Sequence, residues 1–364
     1  MMGVVEPRRR ASWGAIVGMA CAFAGAFIGV RASAQDVAIT NARLVIGDGS
    51  APISGGTVVV RGGKVVAAGA SVKVPADMSA IDADGAYVTP GLIAGFSRLG
   101  LVEVDAVDGT NDRDSNKSLF TAAIDVTPAL NPFGSAIAVN RAGGVTRALV
   151  FPGDSAGLFQ GQGALVDLGA DADMVTRPRL FQYVEFGESG ARTAGGSRSA
   201  TFLTFRTMLA EARDYARNPA GYDGRSKDSL LLRADAAALG RVLDGRDRLF
   251  IKADRAADIL NVLKLRAEFP AIRMSLVGAS EGWTVAAELA ASGVPVMASA
   301  MNDLPASFEK LASTQSNVGR MKAAGVDVTV ALFDDDDAHK QFYLTQYAGN
   351  MVALTRVPGA NGLS

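Results

Sequence analysis

Between Arg248 and Leu354, apolar runs of strand length alternate with amphipathic runs of helical length, and this alternation restricts the fold more than any other feature. RLFIKAD, starting at Arg248, reads as a strand. The helix that follows, Arg255–Phe269, repeats Ala256, Ile259, Leu260, Leu263 and Ala267 at helical spacing. Further strands are expected at Ile272–Gly278, Pro295–Ser299 and Asp327–Phe333. They are separated and followed by helices over Glu281–Ala291, Ser307–Ala324 and Ala338–Leu354. Upstream, Gly144–Pro152 (GVTRALVFP) has the composition of a buried strand, and Thr201–Asn218 and Lys227–Leu243 read as helices. A strand, a covering helix and a next strand imply parallel pairing with right-handed crossovers. Four or more such units in series favour an α/β fold of the (β/α) TIM-type barrel class over an open doubly wound sheet. No GxGxxG follows a strand, and Phe159–Gly163 (FQGQG), which lacks the third glycine, reads as a loop.

A smaller β-rich module precedes the barrel, from residue 35 to 89. Val37–Ile46, Thr57–Arg61 and Lys64–Ala68 are strand-like, and Gly62-Gly63 between the last two marks a hairpin, since both central residues can take positive φ. The first 34 residues read as a secretory signal. Arg8, Arg9 and Arg10 form the basic region, Trp13 to Val30 is apolar, and Ala32-Ser33-Ala34 offers a small-x-small cleavage pattern. An uncleaved anchor is the rival reading, because the apolar stretch is long enough to span a bilayer. With the leader removed, no stable membrane span is expected, and the location is periplasmic or secreted.

Removing four arginines and one glutamate with the leader, from totals of 36 basic and 37 acidic residues, leaves 32 against 36, a net charge of −4. A mildly acidic chain without a basic block excludes nucleic acid as a partner. A small-molecule ligand or substrate is expected, and oligomeric state is not encoded in any pattern. Cys21 leaves with the leader, so no disulfide can form. Two segments rich in Gly, Asp, Asn and Ser, Asp105–Asn140 and Tyr183–Ser199, read as long loops. They are either substrate-facing or plain surface insertions.

Val88-Thr-Pro-Gly-Leu-Ile-Ala-Gly-Phe-Ser-Arg-Leu-Gly100 resembles the entry of the amidohydrolase superfamily, in its imidazolonepropionase-related branch. There a small β-sandwich leads into a PGLID-x-H-x-H first barrel strand. Ala42–Gly49 is similar to that family's first sandwich strands, Gly144-Val-Thr-Arg147 to its GVTT segment, Lys252–Ile259 to its fifth strand and helix, and Gly278–Gly282 to its sixth-strand element. The resemblance implies a hydrolase acting on carbon–nitrogen bonds other than peptide bonds. In the family, two histidines on the first strand, one on the fifth and one on the sixth hold divalent metal, and an aspartate on the last strand is the general base. Carried over position by position, the histidines fall on Phe96, Arg98, Lys252 and Gly278, and the aspartate on Asp334 or its neighbour Asp335.

Those replacements are unfit for coordination. Phe and Gly offer no side-chain lone pair, Arg stays protonated, and charged Lys repels a cation. His339 is the chain's one histidine, so no shift of register restores a multi-histidine centre. No metal and no cofactor is therefore expected, and Asp334 is the candidate catalytic residue. Asp334–Asp337 is either an oxygen-ligand cluster for calcium or magnesium or a cap on the helix beginning near Ala338. Asp105, Asp108, Asn111, Asp112 and Asp114 form a second acidic loop without EF-hand spacing, and His339 lacks a G-x-S-x-G partner. Arg98 and Lys252 are candidate substrate-binding residues that would suit a carboxylate or phosphate, unless they pair with local acids such as Asp254. The alternative to a hydrolase is thus a non-catalytic binding protein for small acidic ligands. Relatives of this type also continue past the point matching Ser364 to complete the sandwich, so an incomplete β-sandwich and a truncated, inactive fragment are a further expectation.

Overall fold

A computed structural model describes residues 36–104, 106–223, 228–300, 303–333 and 340–363. The leader, Asp105, the acidic run beginning at Asp334 and His339 lie outside them. The chain divides into two units after Pro90.

The first unit is a five-stranded sheet. β1 (Val37–Leu44) lies between β2 (Ile53–Arg61), which is antiparallel to it, and the parallel strands β4 (Ser79–Asp82) and β5 (Tyr87–Val88). β3 (Lys64–Gly69) pairs with β2 through the expected hairpin, and Gly62 and Gly63 take φ of +55° and +74°. Among the described residues this is one sheet, not two facing layers.

The second unit contains an eight-stranded sheet in the order β13-β12-β11-β10-β9-β8-β7-β6. Its members are β6 (Leu92–Ser97), β7 (Val145–Val150), β8 (Phe159–Asp167), β9 (Val175–Glu185), β10 (Arg248–Ala253), β11 (Arg273–Gly278), β12 (Val296–Ser299) and β13 (Val328–Ala331). The sheet curls until β13 lies beside β6, where a Cβ at Gly95 would stand 3.6 Å from that of Ala331. Helices α1 (Ser135–Ala142), α2 (Gly187–Thr193), α3 (Arg198–Arg217), α4 (Arg233–Leu243), α5 (Ala256–Glu268), α6 (Ala286–Ser292), α7 (Asn317–Ala323) and α8 (Leu344–Ala353) complete it.

β10 shows why the sequence folds this way. Leu249, Ile251 and Ala253 are fully buried and pack outward with Ile259, Val262 and Leu265 of α5. The alternate residue Phe250 instead joins Phe181, Tyr183, Phe96 and Phe151 in an aromatic cluster. The period-2 pattern of a barrel strand thus separates a helix-facing layer from the interior.

Several expectations need correction. FQGQG is not a loop but the start of β8, which runs antiparallel to both β7 and β9, so the barrel is not wholly parallel. Its glycines are there because neighbours press close: a Cβ at Gly163 would enter the Phe181 ring and meet the Val150 carbonyl oxygen at 2.5 Å. Tyr183–Ser199 is not a loop either, since it closes β9 and forms α2. The helix expected over Ser307–Ala324 shrinks to α7, and the one over Glu281–Ala291 is a 3₁₀ turn followed by α6. Residues 106–134 hold two short 3₁₀ turns, Asp108–Thr110 and Thr127–Ala129, before α1 begins. No helix among the described residues is long and apolar enough to cross a membrane.

Candidate active site

The C-terminal strand ends of the barrel enclose a cavity of about 480 Å³. This is the end at which barrel enzymes place their chemistry, because the strands hold side chains rigidly beneath variable loops. Arg98, which follows β6, and Lys252 on β10 both line it. Glu185 and Lys252 are register partners on adjacent parallel strands. Tyr183, two residues before Glu185, is on the same face of β9.

A connected polar network fills the floor. Lys252 Nζ donates to Asp254 Oδ2 at 2.7 Å, and Lys310 Nζ lies 3.9 Å from the same oxygen. Asp254 Oδ1 accepts from Ser280 Oγ at 2.6 Å and from the Ser280 backbone N–H at 3.1 Å. Asp254 is 1 % exposed, so this carboxylate is surrounded by donors and shut off from solvent. Tyr183 Oη donates to Glu185 Oε1 at 2.6 Å. Ser280, Asp254 and Lys252 come from the ends of β11 and β10, so the backbone of the barrel fixes their spacing.

The network pulls its members' proton affinities apart. Burial raises the Glu185 carboxyl to about 7, against the opposing pull of the Lys252 charge and the Tyr183 hydrogen bond. Burial disfavours the Lys252 ammonium, but the negative charges of Asp254 and Glu185 outweigh it and leave the pKa above the ordinary lysine value. Burial likewise opposes ionisation of Asp254, and is overcome by Lys252, Lys310 and the Ser280 hydrogen bond, which leave its pKa depressed. At neutral pH this network therefore keeps Lys252 charged and Asp254 ionised, while the Glu185 carboxyl lies near its titration midpoint. Groups tuned in opposite directions within a cleft mark functional sites.

The four positions to which the family resemblance assigns metal ligands are taken up by other contacts. The Phe96 ring stacks on Phe151 with centroids 4.6 Å apart. Arg98 donates from Nη1 to the carbonyls of Phe151 and Pro152 at 2.5 and 2.7 Å, and its guanidinium lies 4.8 Å from the Phe96 ring centroid. Lys252 is engaged by Asp254. Gly278 has a φ of +95°, and a side chain there would begin 2.6 Å from both Lys252 Nζ and Asp254 Oδ1. None of the four offers a lone pair to a cation, and the ion pair occupies the space into which a ligand from position 278 would project. Among the described residues no group of three or more His, Cys, Asp or Glu could hold an ion.

Of the residues singled out in the sequence, the cavity brings Arg98 and Lys252 together, while Asp334 lies outside the described residues. The pairing of Lys252 with Asp254, weighed as the alternative to ligand binding, is present. Glu185 and Tyr183 were missed. Their signal was the alternation in FQYVEF, which matches the inward Phe250 and Lys252 of LFIKAD on the next strand. Assigning Tyr183 onward to a loop concealed it. In the second acidic loop, Asp114 accepts from the backbone N–H of Asp154 at 2.9 Å and pairs with Arg113 at 3.3 Å.

No protein-family model matches the chain. The second unit is an eight-stranded barrel, a fold shared with a solved amidohydrolase. An amidohydrolase from Thermotoga maritima MSB8 superposes with a TM-score of 0.75 at 22% identity, over 86% of this chain and 82% of that one. N-isopropylammelide isopropylaminohydrolase from Burkholderia multivorans is a more distant likeness, with a TM-score of 0.45 at 15% identity over 89% and 81% of the two chains. In sequence, the chain is 28% identical over 161 residues to amidohydrolase tasK of Hapsidospora irregularis. That match spans 40% of this chain and 16% of the length of the matched protein.

Proposed function

We propose that this protein is a hydrolase of carbon–nitrogen bonds other than peptide bonds, acting on a small uncharged amide, lactam or urea in the barrel-mouth cavity. The carrying observation is the cluster of Glu185, Lys252 and Asp254 at the catalytic end of a barrel that shares its fold with an amidohydrolase. Hydrolysis of such a bond needs a group that accepts a proton from water and returns one to the departing nitrogen, beside a positive charge for the developing oxyanion. Asp334, the base by family resemblance, and Glu185 are the two candidates for that exchange.

The cavity's charge balance supports an uncharged substrate. Its described lining carries four acids (Asp154, Glu185, Asp254 and Asp303) against three bases, Arg98, Lys252 and Lys310. Both cations of the acidic-ligand reading donate to protein oxygens, Arg98 to two carbonyls and Lys252 to Asp254. With the leader expected at the N-terminus, we place this activity in the periplasm or outside the cell.

The purified protein incubated with panels of amides, lactams, ureas and dipeptides, with amine or ammonia release measured, should turn over at least one non-peptide class. Silence across all panels at pH 6 to 9 would remove the hydrolase assignment.

A further inference from the structure

The hydrolase reading leaves open which residue moves the proton, and the network at the barrel mouth narrows the choice. Lys252 cannot serve as the exchanging acid, because Asp254 and Glu185 hold its ammonium charged. Asp254 cannot serve as the base. It is sealed from solvent and already accepts from Lys252 and twice from Ser280. On the loop after β12, Asp303 accepts from Gln315 Nε2 at 2.6 Å. Glu309, on the same loop, is turned to the backbone N–H of Glu188 at 2.8 Å and to Arg198. Glu185 is different. Of the remaining lining acids, Asp154 and Glu185, it is Glu185 that is the register neighbour of Lys252 and accepts a hydrogen bond from a tyrosine hydroxyl.

We propose that Glu185 is the proton-transfer residue of a metal-independent hydrolytic centre, in which the Lys252 ammonium, positioned by Asp254, is the positive charge beside the reacting carbonyl. This rests on the hydrolase reading and extends it. The Glu185 carboxylate takes one proton from a water molecule as the water oxygen bonds to the carbonyl carbon of the substrate. The carbonyl π pair moves to oxygen, facing the Lys252 ammonium. When the pair returns, the C–N bond breaks, its electrons leave on nitrogen, and the Glu185 carboxyl protonates that nitrogen. Water has then been added across the C–N bond and Glu185 is again a carboxylate. Tyr183 is a positioning residue: its hydrogen bond to Oε1 orients the carboxylate and favours the ionised form. The charged groups facing Glu185 are Lys252 and Asp254 from β10 and Asp154 from the loop after β7. Arg98, Asp303 and Lys310 stand around the same cavity.

Glu185→Gln, Asp334→Asn and Tyr183→Phe, each checked for native far-UV dichroism, should be compared on a substrate found in the panel. The protein should first be dialysed against chelator and its metal content measured. Glu185→Gln should lose about 10²- to 10⁴-fold in kcat, the range for general acid–base catalysis. The chelated wild type should keep its full rate without bound zinc. The acidic limb of the pH–kcat/KM profile should fall near pH 7 and move upward in Tyr183→Phe. A ¹³C-carboxyl NMR titration should assign the same midpoint to Glu185. An active Glu185→Gln, or a rate lost with chelator and restored by zinc, would overturn this assignment while leaving the hydrolase reading intact. No turnover by any form defeats both.

Discussion

At Glu185 the chemistry of the site and the stability of the fold pull in opposite directions. Its carboxyl is raised from 4.5 to about 7 in the folded chain, so the folded state holds the proton more tightly than the unfolded one. The resulting stabilisation is complete below about pH 4.5 and is lost as pH climbs through 7, a change of about 3 kcal/mol at 1.36 kcal/mol per pKa unit. Glutamine cannot titrate. Wild type should therefore lose about 2–3 kcal/mol relative to Glu185→Gln between pH 5 and pH 8. Urea denaturation of both proteins at the two pH values measures this directly, and parallel pH dependence would mean the carboxyl is not raised. The Lys252–Asp254 pair was legible in the sequence because K-x-D closes a strand ending in a turn. Glu185 was not, because its raised affinity comes from burial in the folded barrel, opposed by the charge of Lys252 on a strand 67 positions away. Burial and charge of that kind have no local signature.

Single elements show the same division between local and distant causes. The helix expected over Thr201–Asn218 is α3, which begins three residues earlier, and its start is marked by Ser197, whose hydroxyl accepts from the Ala200 N–H at 3.1 Å. β10, β11, β12 and β13 were each found from short apolar runs, since their outward faces must meet helices. β8 failed that test because glycine usually signals a turn, whereas here it answers to crowding. Gly163 lies where the Phe181 ring and the Val150 carbonyl approach the backbone from both sides. Gly163→Ala should therefore destabilise the protein by about 1–3 kcal/mol through overpacking, even though alanine is ordinarily the better residue in a regular element. The shift in urea midpoint is the measurement. An unchanged midpoint would show that the ring moves aside at no cost, and that β8 tolerates any small residue.

Across the whole barrel, the interior that stabilises the second unit and the floor that carries its site are built from the same residues. Phe151, fully buried, lies with its ring centroid 4.6 Å from Phe96, 4.3 Å from Phe181, 5.4 Å from Tyr183 and 5.1 Å from Phe250. Its carbonyl accepts from Arg98, and through Tyr183 the cluster reaches the Glu185 hydrogen bond. The barrel class was readable because periodicity is local. That Phe96 belongs to this cluster was not, since its ring neighbours Phe151, Tyr183 and Phe333 come from the end of β7, from β9 and from the end of β13. Removing the central ring tests the arrangement as a unit. Phe151→Ala deletes an aromatic side chain contacting four others, and should cost about 3–5 kcal/mol by urea denaturation. Because Tyr183 would lose one face of its support, the Glu185 titration midpoint should move in the same variant, followed by ¹³C NMR at a temperature where it remains folded. A cost below about 1 kcal/mol would mean the barrel closes over the gap. A large cost with an unmoved midpoint would mean that β9 alone, through its backbone pairing with β10, holds the tyrosine and the glutamate in place.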